Sequence, residues 1–86
     1  MRIPLLIGGR PPYVKSGALI PLVRGEWEVE VVGLIDTLVS LWSDRPPTRT
    51  PLGAIPTMVG GGRMVRVVID KPGKEEHISV FARKVA

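Results

Sequence analysis

Proline and glycine interrupt this chain so often that short strands joined by turns are the structure it favours. The sequence has 9 prolines and 10 glycines in 86 residues. Proline fixes φ and lacks a backbone donor, and glycine loses more conformational entropy than other residues when it enters a helix. Both residues therefore tend to end helices. We therefore expect a mainly β protein with about five short strands, curled into a small barrel or sandwich. Residues 1–86 should form a single domain.

The clearest strand signal is the alternation of apolar and polar residues over residues 26–31. Trp27, Val29 and Val31 should share the buried face, opposite three glutamates. Other strands are predicted at residues 2–7 and 18–23, where Pro21 indicates an edge or bulged strand.

The end of the sequence predicts a β-hairpin over residues 64–84. Its arms would be residues 64–70 and 77–84, joined by a turn at residues 71–74. Alternation gives each arm one apolar face, made of Val65, Val67 and Ile69 in the first arm and Ile78, Val80 and Ala82 in the second.

Residues 33–43 are compatible with two structures. The non-apolar positions 33, 36, 37, 40 and 43 suit one face of a helix, which would make the protein α+β. The many β-branched residues of the segment favour a strand instead. We favour the strand and keep the helix as the alternative.

Residues 43–62 are rich in proline and glycine and predict a long loop. Its basic part, called here the assembly arm, consists of Arg45, Pro46, Pro47, Arg49 and Pro51. Prolines lower the entropy of a free loop, so the arm should dock readily on a neighbouring subunit. There its arginines would meet the glutamates of residues 26–30, and deleting residues 46–51 should weaken assembly without unfolding the subunit.

The residue inventory argues against catalysis. The chain has no cysteine, asparagine or glutamine, and His77 is its single histidine, so Cys–His pairs and Cys/His zinc sites cannot form. His77 beside two glutamates is typical of a solvated turn, and nothing in the sequence converges on Asp36 or Asp44. We expect no enzyme, no catalytic residues, no metal and no cofactor. Asparagine, glutamine and cysteine are thermolabile, so their absence also suits a thermophilic source.

Apolar residues are more abundant than a chain this small can bury. They make up 44% of the sequence, and the mean hydropathy is +0.21. A domain of this size hides only about 60–65% of its unfolded surface, so we expect a homo-oligomer or contact with other protein subunits. The longest apolar stretch, residues 31–42, is too short to span a membrane and contains Asp36.

These observations predict a non-enzymatic, self-assembling structural protein, such as a virion or shell component. The apolar run near the N-terminus is too brief for a signal peptide, so a cytoplasmic or virion location is expected and secretion is not. The alternative is a basic nucleic-acid-binding small β-barrel of the Sm-like or OB-like kind, because the net charge is +4 and the pI is near 10.1. Its contact residues would be Tyr13, Lys15, Arg45, Arg49, Arg63 and Arg66, with Trp42 as a further aromatic candidate.

Two short segments resemble known families. Gly25, Asp36 and Ser40 are spaced similarly to the first motif of the Sm-like RNA-binding family, which has asparagine at the position of Ser40. This resemblance implies a small barrel. Leu34-Ile35-Asp36-Thr37 resembles the start of the retroviral-type aspartic protease motif, and Met58-Val59-Gly60-Gly61 its flap. That resemblance implies a dimeric enzyme using Asp36, but Leu38 stands where the motif needs glycine.

Overall fold

The computed structural model describes residues 2–33, 37–70 and 75–86, and these residues are mainly β, as predicted. The strands are β1 (Arg2–Ile7), β2 (Ile20–Leu22), β3 (Glu26–Gly33), β4 (Val39–Asp44), β5 (Pro47–Leu52), β6 (Thr57–Gly60), β7 (Arg63–Ile69) and β8 (Ile78–Lys84). A single 3-10 turn, Glu75–His77, precedes β8. The strand prediction for residues 33–43 is confirmed for Gly33, which ends β3, and for residues 39–43, which belong to β4. Residues 37–38 are not in a strand, no helix forms in the described part of the segment, and residues 34–36 lie outside it.

The strands form two antiparallel four-stranded sheets. Sheet A has the order β1-β8-β3-β6, and sheet B has the order β2-β7-β4-β5. Their inner faces share one hydrophobic core, so the fold is sandwich-like and not a closed barrel. The described residues form eight strands rather than about five, because residues 43–62, for which the sequence predicts a loop, contain β5 and β6.

The alternating patterns identified the inner faces correctly. Trp27, Val29 and Val31 are all buried in β3. The same holds for the two C-terminal strands, whose buried residues are Val65, Val67 and Ile69 in β7 and Ile78, Val80 and Ala82 in β8. Each of these three strands therefore presents alternate side chains to the core, as the pleat requires.

Strand β1 departs from alternation because it contains a bulge. Leu5 and Leu6 are adjacent and both are almost completely buried. The pairing of β1 with β8 shifts register between Pro4 and Leu6. A bulge sets two residues of one strand opposite one of its partner, so two consecutive side chains can face the core.

The predicted hairpin of residues 64–84 is wrong, although its strands exist. β7 pairs with β2 and β4 in sheet B, whereas β8 pairs with β1 and β3 in sheet A. The chain crosses from one sheet to the other between them. Alternation could not reveal this, because two strands facing each other across a core have the same pattern as two strands paired side by side. The predicted turn, residues 71–74, lies outside the described residues.

The long loop predicted over residues 43–62 is also wrong. The segment forms a hairpin of β4 with β5, in which Trp42 pairs with Arg49 and Val39 with Leu52, followed by β6 on the edge of sheet A. Of the assembly arm, Arg45 and Pro46 occupy the hairpin turn, whereas Pro47, Arg49 and Pro51 belong to β5. Proline is tolerated in β5 because this strand is at a sheet edge.

Three of the four edge strands contain proline. Pro4 lies in β1, Pro21 in β2, and Pro47 and Pro51 in β5. The prediction that Pro21 marks an edge strand is thereby confirmed. Edge prolines remove outward backbone donors and hinder pairing with another chain. The fourth edge strand, β6, has no proline.

Candidate functional site

Four charged residues on the solvent-facing side of sheet A form two ion pairs within the chain. Arg83 Nη2 lies 3.1 Å from Glu28 Oε1, and Arg2 Nη1 lies 3.5 Å from Glu30 Oε1. The Arg2 guanidinium is also 4.3 Å from the centre of the Phe81 ring, within cation–π distance. Glu28 and Glu30 therefore already have cationic partners, which weakens the expectation that they receive arginines from a neighbouring subunit.

Sheet B presents a different outer surface. In β4 the alternation turns Val39 and Leu41 into the core and Trp42 outward, where it is partly exposed. Trp42 pairs with Arg66 of β7 on one side and Arg49 of β5 on the other. These three side chains form a line across the sheet, called here the Arg–Trp–Arg row. Its two arginines are two strand spacings apart, or about 10 Å between backbones.

Arg49 is held on this surface by a neighbour in β4. Its Nε donates a 3.0 Å hydrogen bond to the hydroxyl oxygen of Ser40, whose exposure is only 2%. The bond occupies one of the five guanidinium N–H donors and leaves four for other acceptors. Among the described residues, no carboxylate forms an ion pair with Arg49 or Arg66.

Two further arginines lie at one end of sheet B. Arg45 and Arg63 line a common pocket with Asp44, Gly62 and Met64. Arg63 begins β7 and has the same parity as the buried Val65 and Val67, so its side chain lies on the opposite face of the strand from Arg66. The outer side of sheet B thus has two arginines beside Trp42, namely Arg49 and Arg66, while Arg45 and the exposed Asp44 lie at the turn end of the sheet.

The other two predicted nucleic-acid residues lie elsewhere. Tyr13 and Lys15 line a pocket with Glu75 and Glu76. The loop that holds them is fixed at the Ile69 end of β7, where the Ser16 hydroxyl accepts a 3.3 Å bond from the Ile69 amide. Arg63 begins the same strand, so it lies at the opposite end. The structure therefore does not bring the six predicted residues together: Arg49 and Arg66 share the outer face of sheet B, Arg45 and Arg63 lie at one end of that sheet, and Tyr13 and Lys15 are remote.

The candidate catalytic groups are dispersed. His77 Nε2 lies 3.3 Å from Glu76 Oε1, but both side chains are mostly exposed. Asp44 is exposed at the end of β4, and Asp36 lies outside the described residues. Within residues 2–33, 37–70 and 75–86, no cluster of three or more His, Cys, Asp or Glu side chains is arranged to hold a metal ion.

The sequence indicated the parts of the Arg–Trp–Arg row but not their alignment. Arg49 and Arg66 were predicted contact residues, and Trp42 was a candidate, yet they are separated by up to 24 positions. The alternation of residues 39–43 could have placed Trp42 outward. Its position between two arginines depends on the register of three strands, which no local pattern specifies.

No helix within the described ranges is long and apolar enough to cross a membrane.

Comparison with known proteins does not assign this chain to a family. No protein-family model matches the chain, and no curated protein or solved structure matches it significantly.

Proposed function

We propose that this protein is a non-enzymatic structural protein that self-assembles through strand β6, as a virion or other shell component would. The observation that carries the proposal is the contrast between edge strands: β1, β2 and β5 contain proline, whereas β6 does not. An edge strand without proline presents unpaired N–H and C=O groups that can extend the sheet into another chain.

Exposed apolar residues lie at the same edge. Met58 of β6 is 52% exposed, and Ile55, just before this strand, is 83% exposed. Burial of such side chains between subunits would supplement the backbone hydrogen bonds, since apolar area removed from water contributes about 25 cal/mol per Å². This supports an interface made of both backbone pairing and apolar contact.

A second copy of the chain is the partner that fits this edge. Thr57–Gly60 contains no charged residue, so antiparallel pairing of two copies would place no like charges opposite each other. Such pairing is a two-fold contact in which the same patch serves both subunits. Two copies of sheet A would then form one continuous sheet.

Met58→Lys tests this proposal, because a lysine on an edge strand opposes pairing with another chain. The matched control is Met64→Lys, since Met64 is another partly exposed methionine but lies in sheet B. Light scattering over a concentration series should show an assembling parent, assembly weakened by at least about tenfold in Met58→Lys, and little change in Met64→Lys.

Salt dependence provides a second readout. An apolar and backbone-paired interface should persist or strengthen as salt rises, whereas one based on exposed charges should weaken. A parent protein that remains monomeric at high concentration would contradict self-assembly. Equal loss in both lysine variants would contradict the assignment to β6.

A further inference from the structure

We infer that the outer face of sheet B binds single-stranded nucleic acid, with the Arg–Trp–Arg row as its centre. This is a separate activity from subunit assembly and uses a different sheet. It rests on the contrast between the two outer faces. Sheet A pairs Arg2 and Arg83 with glutamates, whereas sheet B has Arg49 and Arg66 without carboxylate partners among the described residues.

The row combines the two kinds of contact that a nucleic-acid strand offers. Arginine donates to phosphate oxygens, and an indole ring provides an apolar surface on which a base can stack. Trp42 is partly exposed at the middle of the row, with one arginine on each neighbouring strand. A base over Trp42 would therefore have its flanking phosphates near Arg49 and Arg66.

The hydrogen bond to Ser40 favours this role for Arg49. It fixes the guanidinium on the sheet surface before a ligand arrives, because the Nε donor is already bound to the buried hydroxyl. Less side-chain entropy is then lost on binding, which favours affinity. The remaining N–H donors are available to a phosphate.

A single strand suits the row better than a duplex does. The bases of a duplex are stacked on one another, whereas an unpaired base can place its face on an aromatic side chain. Arg45, exposed in the turn between β4 and β5, adds a cation at the end of the same hairpin, which suits a strand that lies across several cations.

Fluorescence anisotropy with a labelled oligothymidylate of about 20 nucleotides tests the inference. Arg66→Gln should weaken binding about tenfold, because it removes a phosphate contact. The control is Arg10→Gln, which makes the same charge change at an exposed loop position beyond β1, and it should change the affinity less than twofold. A duplex of equal length should bind more weakly than the single strand.

Salt titration separates the roles of the two residue types. Loss of one phosphate contact should lower the slope of log K against log salt by about 0.7 in Arg66→Gln. Trp42→Leu should weaken binding while leaving the slope unchanged, because stacking releases no counterion. Trp42→Phe should restore part of the affinity, and circular dichroism melts would show whether each variant is folded.

Intrinsic fluorescence gives an independent signal. Trp27 is only 3% exposed, so Trp27→Phe leaves Trp42 as the single tryptophan on an accessible surface. Oligothymidylate should quench Trp42 in this background. Equal weakening by Arg66→Gln and Arg10→Gln, an unquenched Trp42, or equal affinity for duplex would overturn the inference. Preferential binding of polyglutamate would assign the face to an acidic protein partner instead.

Discussion

The indole nitrogen of Trp27 donates a 2.9 Å hydrogen bond to the carbonyl oxygen of Val23. Trp27 belongs to β3 in sheet A, whereas Val23 directly follows β2 in sheet B, so the bond joins the two sheets at one end of the sandwich. Gly61, between β6 and β7, lies against both residues, since a Cβ there would be 2.6 Å from Trp27 Nε1. Three segments of the chain therefore meet at this ring.

Replacement of Trp27 should be among the most damaging single changes. Its side chain is 3% exposed, and Trp27→Ala should lower the free energy of unfolding by about 3–5 kcal/mol because it leaves a large cavity. Trp27→Phe should cost less, about 1–2 kcal/mol, because it keeps most of the apolar volume and loses the hydrogen bond. Urea unfolding curves measure both. Similar stability of the parent and Trp27→Ala would contradict the buried position.

Gly61 and Gly60 should respond differently to the same substitution. A Cβ at Gly61 would overlap the carbonyl oxygen of Val23 and crowd Trp27, whereas a Cβ at Gly60 would meet no atom within 4 Å. Gly61→Ala should therefore destabilise the protein by more than about 2 kcal/mol, and Gly60→Ala should be nearly neutral. Thermal melts of the two variants make the comparison, and equal melting temperatures would show that the backbone at Gly61 can shift freely.

The inner faces were predictable from sequence because burial acts locally on each strand. The alternation of Trp27, Val29 and Val31 follows from the pleat alone, whichever strand lies beside β3. Pairing partners depend on the whole fold. For this reason the alternation of residues 64–84 predicts one hairpin, although β7 and β8 belong to different sheets.

The candidate site was only partly predictable, because the sequence shows which residues are charged or aromatic but not where their strands lie in the sheet. The charges of Arg49 and Arg66 indicate contact residues, but the flanking Pro47 and Pro51 predict that Arg49 belongs to a stiff loop arm. Edge position is what makes these prolines compatible with a strand. Since edge position is a property of the sheet, the sequence could not supply it.

The ion pair between Glu28 and Arg83 should contribute little to stability. These residues face each other across β3 and β8, but their side chains are 32% and 52% exposed, so water screens the 3.1 Å contact. A double-mutant cycle with Glu28→Gln and Arg83→Gln should give a coupling of about 0.2–1 kcal/mol that decreases with salt. The cycle for Glu30 and Arg2, which are 3.5 Å apart, should give a similar or smaller value. Coupling well above this range would show that the pairs are screened less than their exposure indicates.

Deletion of residues 46–51 should now destabilise the subunit, contrary to the expectation based on a loop. The deletion removes most of β5, leaves β4 without one neighbour, and displaces Leu52, which is only 9% exposed. Loss of a buried leucine alone costs about 2–5 kcal/mol, a large part of the stability of a small domain. The matched control is the double variant Pro47→Thr and Pro51→Thr, which keeps β5 and should remain folded. Circular dichroism melts should show a cooperative transition in the control and a lowered or absent one in the deletion. A deletion variant that melts like the parent would show that β5 is dispensable for folding. It would then support the prediction that this segment is an assembly arm.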